Sequence, residues 1–268
     1  MKINALDAHC HADLLMYYEP LFHDRYRELK CGAITWSYLE KIDSWKSYPQ
    51  YWDKLGRLCR SFGCEESPFF YLVGIHPRSI AEDLQGFSSL PEQITDSLSA
   101  HLKDPLCLGL GELGLDAGTR LEEKILRLQL DWALENLPGS KRIGIHTPRH
   151  DKVRITRETL SLLEDYVPLH ARVLVDHVTP ETWSFFQNNS YMVGMTLQDG
   201  KTSVEAFLQF VHTHRDIMHR IILNSDGARG LSMPFLQLLD EPNLLDGALR
   251  RMVFLENALR FYDLSLQE

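Results

Sequence analysis

Two histidines, His9 and His11, stand two residues apart in the run ALDAHCHADL near the start of the chain. Neutral imidazole is a common ligand for divalent metals. Side chains alternate along a strand, so His9 and His11 project to one side while Cys10 projects to the other. Four more residues of metal-binding type follow: Glu112 in GLGELGLD, His146 in GIHT, His177 in VDHV and Asp226 in NSDG. Each has an ordinary alternative. A His-x-His pair occurs on surfaces and in cores, a glutamate between glycines fits a turn, and Asp226 fits a helix cap. His146 and His177 fit core histidines with satisfied hydrogen bonds. Their common position argues otherwise, because all six fall where short apolar runs end.

Those runs are 3–9, 33–36, 70–75, 106–111, 142–146, 173–177, 191–196 and 221–225. Between them lie segments of helical period, clearest at 119–136, where Leu121, Ile125, Leu128 and Trp132 oppose Glu122, Glu123 and Lys124. Segments 152–166, 202–215 and 246–263 read the same way. Strands alternating with helices imply parallel pairing. Eight such units in 268 residues are expected to close into a TIM-like (β/α)8 barrel, with an open doubly wound sheet as the competitor. Side chains at the strand C-termini of a barrel converge on one cup, where all six residues would meet. No repeat or long linker divides the sequence, so one domain over 1–268 is expected. Two aromatic-rich stretches, 16–30 and 37–54, read as irregular rim segments. Tyr17, Tyr18, Tyr38 and Trp45 in these stretches, and Trp36 just before the second, could stack on bases or simply roof the mouth.

The composition is that of a globular protein, with 44% hydrophobic and 24% charged residues. A net charge of -9 argues against broad adhesion to nucleic acid or anionic membrane. Five cysteines, none in a CxxC pair, suit core thiols in a reducing compartment. The N-terminus lacks the apolar run of a secretory signal, and no stretch is long enough to span a membrane. A cytoplasmic location is expected.

Taken together, AHCHADL, GIHP, GLGELGLD, IHT, DH, SDG and ENALRFYDL resemble the TatD family of metal-dependent hydrolases, in order and spacing, over essentially the whole chain. The resemblance implies an amidohydrolase-like barrel holding two divalent ions, with Zn, Mn, Fe, Ni or Mg as the choices. It places His9, His11 and Asp226 on one ion, His146 and His177 on the second, and Glu112 between them. Two ions roughly 3.5–4 Å apart can share a hydroxide and clamp the scissile group. Asp226 is then the expected general base as well as a ligand, and Glu112 is its catalytic partner. His76 in GIHP would contact a substrate oxyanion or brace the loop before Pro77. In the basic segment after His146, Arg149, Lys152 or Arg154 could bind a phosphate or carboxylate at the rim, and Lys201 and Arg229 share that status. A charged surface is the favoured reading for all of these except Arg149, the nearest to the ligand.

The chain also departs from the family pattern. His-Val-Thr-Pro (177–180) replaces a His-Cys-Phe-Ser/Thr-Gly type of segment, Asn224 stands where an acid is usual, and Ala117 follows GELGLD in place of an aromatic. The expected substrate is a phosphodiester, either single-stranded nucleic acid or a small phosphorylated molecule. Hydrolysis of a C–N or C–O bond in a small molecule is the alternative, and a metal-stabilised partner subunit without activity is the third reading. GLGELG also matches G-x-G-x-x-G formally, but no helix starts directly after it, as a dinucleotide site requires.

Overall fold

The computed structural model describes residues 1–266. Its eight strands are β1 (Ala5–Cys10), β2 (Cys31–Thr35), β3 (Phe69–Val73), β4 (Cys107–Gly114), β5 (Arg142–His146), β6 (Val173–Val175), β7 (Met192–Thr196) and β8 (Ile221–Asn224). They pair in sequence order and always in parallel. The ring closes just beyond the ends of β8 and β1. Asp226 N–H donates to the His9 carbonyl at 2.8 Å, and His11 N–H donates to the Gly227 carbonyl at 2.7 Å. Below this seam the buried Asp7 carboxylate accepts from Ser225 N–H at 2.8 Å and from the Tyr26 hydroxyl at 2.6 Å. The fold is the expected TIM-like (β/α)8 barrel.

Apolar side chains fill the barrel in one layer and join it to the helices in another. Leu6, Ala8, Ile34, Phe70, Leu72, Leu108, Leu174 and Ile222 form the inner cluster, together with Leu255, Ala258 and Phe261 from the chain end. That end closes the floor. Asn257 donates to the carbonyls of Met218 and Ile221 at 2.7 Å, at the start of β8, and Arg142 at the start of β5 donates to the Phe261 carbonyl.

The strand irregularities matter for function. Leu6 and Ala8 belong to the inner cluster, so strict alternation would send His9 outward. A register shift between Asp7 and Cys10 resets the phase, turning His9 and His11 inward and Cys10 toward the helices. A second shift between Leu110 and Leu113 brackets Glu112 in the same way.

Several boundaries differ from expectation. β4 runs on to Gly114, so Glu112 lies within the strand, and β6 stops at Val175, so His177 lies beyond it. Segment 152–166 is helical only to Leu163 and then continues as a 3-10 stretch containing Pro168, which has no N–H to donate. Segment 246–263 is three pieces, with a π-type turn at Met252–Glu256. The stretches read as irregular hold the helix Phe22–Glu28 and the first half of the helix Ser47–Phe62. Pro49 in the second obscured it, although proline is tolerated in a first turn.

Candidate metal centre

Five histidines surround one carboxylate. Glu112 is buried, and its two oxygens divide the imidazoles between them. Oε1 lies 2.6 Å from His146 Nδ1 and 3.2 Å from His177 Nε2. Oε2 lies 3.2 Å from His9 Nε2, 3.3 Å from His76 Nε2 and 3.7 Å from His11 Nε2. Asp226 adds a second carboxylate, its Oδ1 lying 3.3 Å from His11 Nε2 and 3.7 Å from His9 Nε2. All six residues singled out by sequence therefore meet at one point, and His76 joins them. Groups with atoms close enough to share one ion include His9, His11 and Glu112, and also His76, Glu112 and His146.

The hydrogen bonds behind the imidazoles fix which nitrogen faces the cluster. His9 Nδ1 meets Asp176 at 2.5 Å, and His11 Nδ1 meets the Trp36 carbonyl at 3.1 Å. The Thr196 hydroxyl donates to Asn224 Oδ1, so it accepts from His177 Nδ1–H at 2.7 Å. His146 is reversed, with Nε2 on Asp116 at 2.9 Å and Nδ1 inward. In these four an acceptor holds the outer nitrogen, which leaves the inner one able to offer a lone pair to a metal, as in metal-ligating histidines. Lone pairs facing a carboxylate at 3.2 Å repel unless a proton or a cation lies between them. His9 Nε2 and Glu112 Oε2 are both buried without a hydrogen-bond partner. The donor set fits a divalent ion.

The proton affinities show the same imbalance. Burial disfavours a charged His9, yet Glu112 and Asp176 outweigh it and push the imidazole up to about 10. Burial likewise opposes ionisation of Glu112 and Asp226. His9 and His146 around the first, and Lys201 beside the second, hold both well below the usual range. His76 is pushed down to about 4 and His177 to about 3, chiefly by burial. His76 is thus neutral, and since its Nδ1 accepts from Arg78 N–H at 2.9 Å, the proton sits on Nε2, facing the cluster. The loop-bracing role holds for one nitrogen of His76, and the other is aimed at the site.

Two glycines make the arrangement sterically possible. A Cβ on Gly194 would fall 2.1 Å from Asp176 Oδ1, and one on Gly144 would fall 2.4 Å from the Trp36 ring. Trp36 stacks on His9 at 4.1 Å. It is part of the floor beneath the cluster, out of reach of a base in solution. Tyr38 packs on His11 and His76 at the wall, Tyr17 and Tyr18 are exposed, and Trp45 packs against Phe87.

Above the cluster opens a cavity of about 440 Å³, lined also by Arg78, Arg149, Gln198, Lys201 and Arg229. Arg78 is paired with Asp116 and Arg229 with Glu40, whereas among the described residues Arg149 donates only to Gln198 Oε1, at 2.5 Å. The surface reading of Lys201 is corrected. Its side chain is 8% exposed, its ammonium pairs with Asp226 Oδ2, and it lies 3.1 Å from His177 Nδ1. The loop after β7 folds back over the site, which periodicity could not show. Arg154 stays on the surface between Asp151 and Glu158. The formal dinucleotide motif lies within β4, and the amides of Asp116, Ala117 and Gly118 beyond it are taken by Glu122.

Comparison with known proteins decides the family. The TatD related DNase family model matches residues 6–215. The chain belongs to the TatD family of metal-dependent hydrolases. An uncharacterized metal-dependent hydrolase from Methanocaldococcus jannaschii is 28% identical over 231 residues, covering 82% of this chain and 83% of the relative. A TatD-like protein from Archaeoglobus fulgidus superposes with a TM-score of 0.75 at 24% identity, over 97% of this chain and all of the other (100%). An amidohydrolase from Mycoplasma synoviae shares the fold at TM-score 0.56 and 12% identity, over 98% and 88% of the two chains.

Within this TatD-family barrel, sequence reasoning assigned no role to Asp116 or Asp176. Both were visible in quoted motifs, one at the end of GELGLD and the other directly before His177. Asp176 accepts from Asn224 Nδ2 at 2.7 Å, so an acid directly after β6 stands beside the position on β8 where an acid was expected.

Proposed function

We propose that the cluster holds two divalent ions and hydrolyses phosphodiesters. His9, His11 and Asp226 would hold one ion, His146 and His177 the other, and Glu112 would serve both. The observation that carries this reading is the division of the histidines between Glu112 Oε1 and Oε2. Ions bound there would supply Lewis acidity and a hydroxide nucleophile at neutral pH. Lys201, on Asp226 Oδ2, keeps that carboxylate ionised, so Asp226 can accept the proton of an attacking water while Oδ1 stays directed at the histidines. His76 Nε2–H donates to an oxygen of the scissile group, and Arg149 binds an anionic oxygen at the rim. The cationic side of the cavity favours an anionic substrate despite the net charge of -9. A small phosphorylated molecule or the end of a single strand fits 440 Å³ better than a duplex.

No helix among the described residues is long and apolar enough to cross a membrane. The five cysteines are free thiols, four of them buried, which supports the cytoplasmic placement.

The test is turnover by protein reconstituted with Zn, Mn, Fe, Ni or Mg, using bis-aryl phosphates, oligonucleotides, amides and lactones, with Asp226→Asn as the blank. Metal-dependent turnover confined to phosphodiesters and lost in the blank is expected. Turnover of amides or lactones alone would favour C–N or C–O hydrolysis. Metal retention with no turnover at all, together with a stable partner in pull-down, would favour the non-catalytic subunit.

A further inference from the structure

Beside the metal cluster lies a second hollow, of about 320 Å³, between the loops that follow β5, β6 and β7. Arg149, Lys152, Thr179 and Lys201 line it, and Arg149 and Lys201 also line the main cavity. The two spaces therefore share a wall. Lys152 is partly buried there, and its ammonium donates to Thr147 Oγ1 at 3.1 Å and to the Pro148 carbonyl at 2.9 Å. It forms no ion pair among the described residues. An ammonium has three protons to donate, so one bond of Lys152 remains unused by the protein. Arg149 is likewise without a carboxylate, and the one acid lining the hollow, Glu181, is exposed at its edge. Other cations around the main cavity, Arg78 and Arg229, are neutralised by acids.

A partly buried lysine that no carboxylate touches, with Asp176 and Glu181 acting on it only from a distance, is an unfavourable arrangement that an anion in the hollow would relieve. Burial, and Lys201 nearby, pull Lys152 down to about 7. An anion bound between Lys152, Arg149 and Thr179 would restore the missing charge and accept the free N–H. Several tetrahedrally arranged oxygens suit donors converging from the two loops that follow β5 and β6.

We propose that this hollow is a second phosphate subsite, so that the preferred substrate carries a phosphate group next to the scissile phosphodiester. The proposal rests on the phosphodiester reading of the metal centre and narrows it to substrates with two neighbouring phosphates. The departures at Thr179 and Pro180 form part of the hollow, which gives this chain a local reason to differ there.

The test compares dithymidine monophosphate with the same dinucleotide bearing a terminal phosphate at the 5′ or the 3′ end. Metal-loaded wild type should favour one phosphorylated form by about tenfold in kcat/KM. Lys152→Met should abolish the preference, Lys152→Arg should retain much of it, and Lys103→Met on the distant surface should leave it intact. Equal use of all three dinucleotides by wild type, or an unchanged preference in Lys152→Met, would overturn the subsite. If wild type cleaves no diester at all, the functional reading fails and the subsite is judged by binding. Inorganic phosphate titrated into the metal-free full chain should then bind at least fivefold more weakly to Lys152→Met and Thr179→Val than to wild type. Equal binding would overturn it.

Discussion

Glu112 Oε2 and His9 Nε2 face each other at 3.2 Å, both buried and neither hydrogen-bonded among the described residues. Asp176 holds the other nitrogen of His9 at 2.5 Å, so the imidazole cannot turn away without losing that bond. A buried carboxylate and an imidazole lone pair held in this opposition call for a cation between them.

Metal should therefore stabilise the fold. An ion that binds only the folded chain adds RT ln(1 + [L]/Kd), about 4 kcal/mol at a thousandfold excess over Kd. Thermal unfolding should move to higher temperature when Zn or Mn is added and back with chelator. Glu112→Ala should lose most of that response.

Asp176 acts through His9. Asp176→Asn keeps the size but lets an amide N–H face His9 Nδ1–H, and metal affinity should drop about 10–100-fold in chelator competition. Gly194→Ala offers a check that leaves the acid in place, since its Cβ would fall 2.1 Å from Asp176 Oδ1. It should weaken metal binding in the same direction. Undiminished affinity in both variants would remove Asp176 from the account.

Barrel closure leans on Asp7. Its carboxylate accepts from Ser225 N–H, the Ser225 hydroxyl and Tyr26, joining β1 to the segment after β8. Asp7→Ala leaves a buried backbone N–H without a partner and should cost about 2–4 kcal/mol in urea unfolding. A loss under 0.5 kcal/mol would mean that the backbone bonds at Asp226 and His11 close the ring unaided.

The alternation of apolar runs and helical segments carried the barrel, because parallel pairing leaves few other arrangements. The six donors were legible for a related reason: strand ends in a barrel converge whatever the loops do. The loops after β4 and β7 were not legible. Asp116 and Lys201 reach the site only because the chain folds back over the mouth, and no periodicity encodes that path. Asp176 was hidden differently. It lies immediately before His177, and only the positive φ of 58° at His177 lets both side chains serve the same site.

Lys152 supplies a pH test. Its pKa falls from the ordinary lysine range to about 7 in the folded chain, so between those values the unfolded chain binds more protons. Its contribution to stability is present above the unfolded value and is lost as pH falls toward 7. Lys152→Met should thus raise stability at pH 7, by on the order of 1 kcal/mol after solvent screening, and the gain should shrink toward pH 10. Denaturant midpoints at the two pH values provide the check. A gain independent of pH would point to packing in place of charge.

The most direct measurement is the number of metal ions per chain, by elemental analysis after reconstitution and removal of free metal. The account predicts two ions in wild type, one in His146→Ala, and fewer than one in Glu112→Ala, which loses the carboxylate facing both groups of histidines. A wild type that binds at most one ion, or a Glu112→Ala variant that retains both, would contradict it.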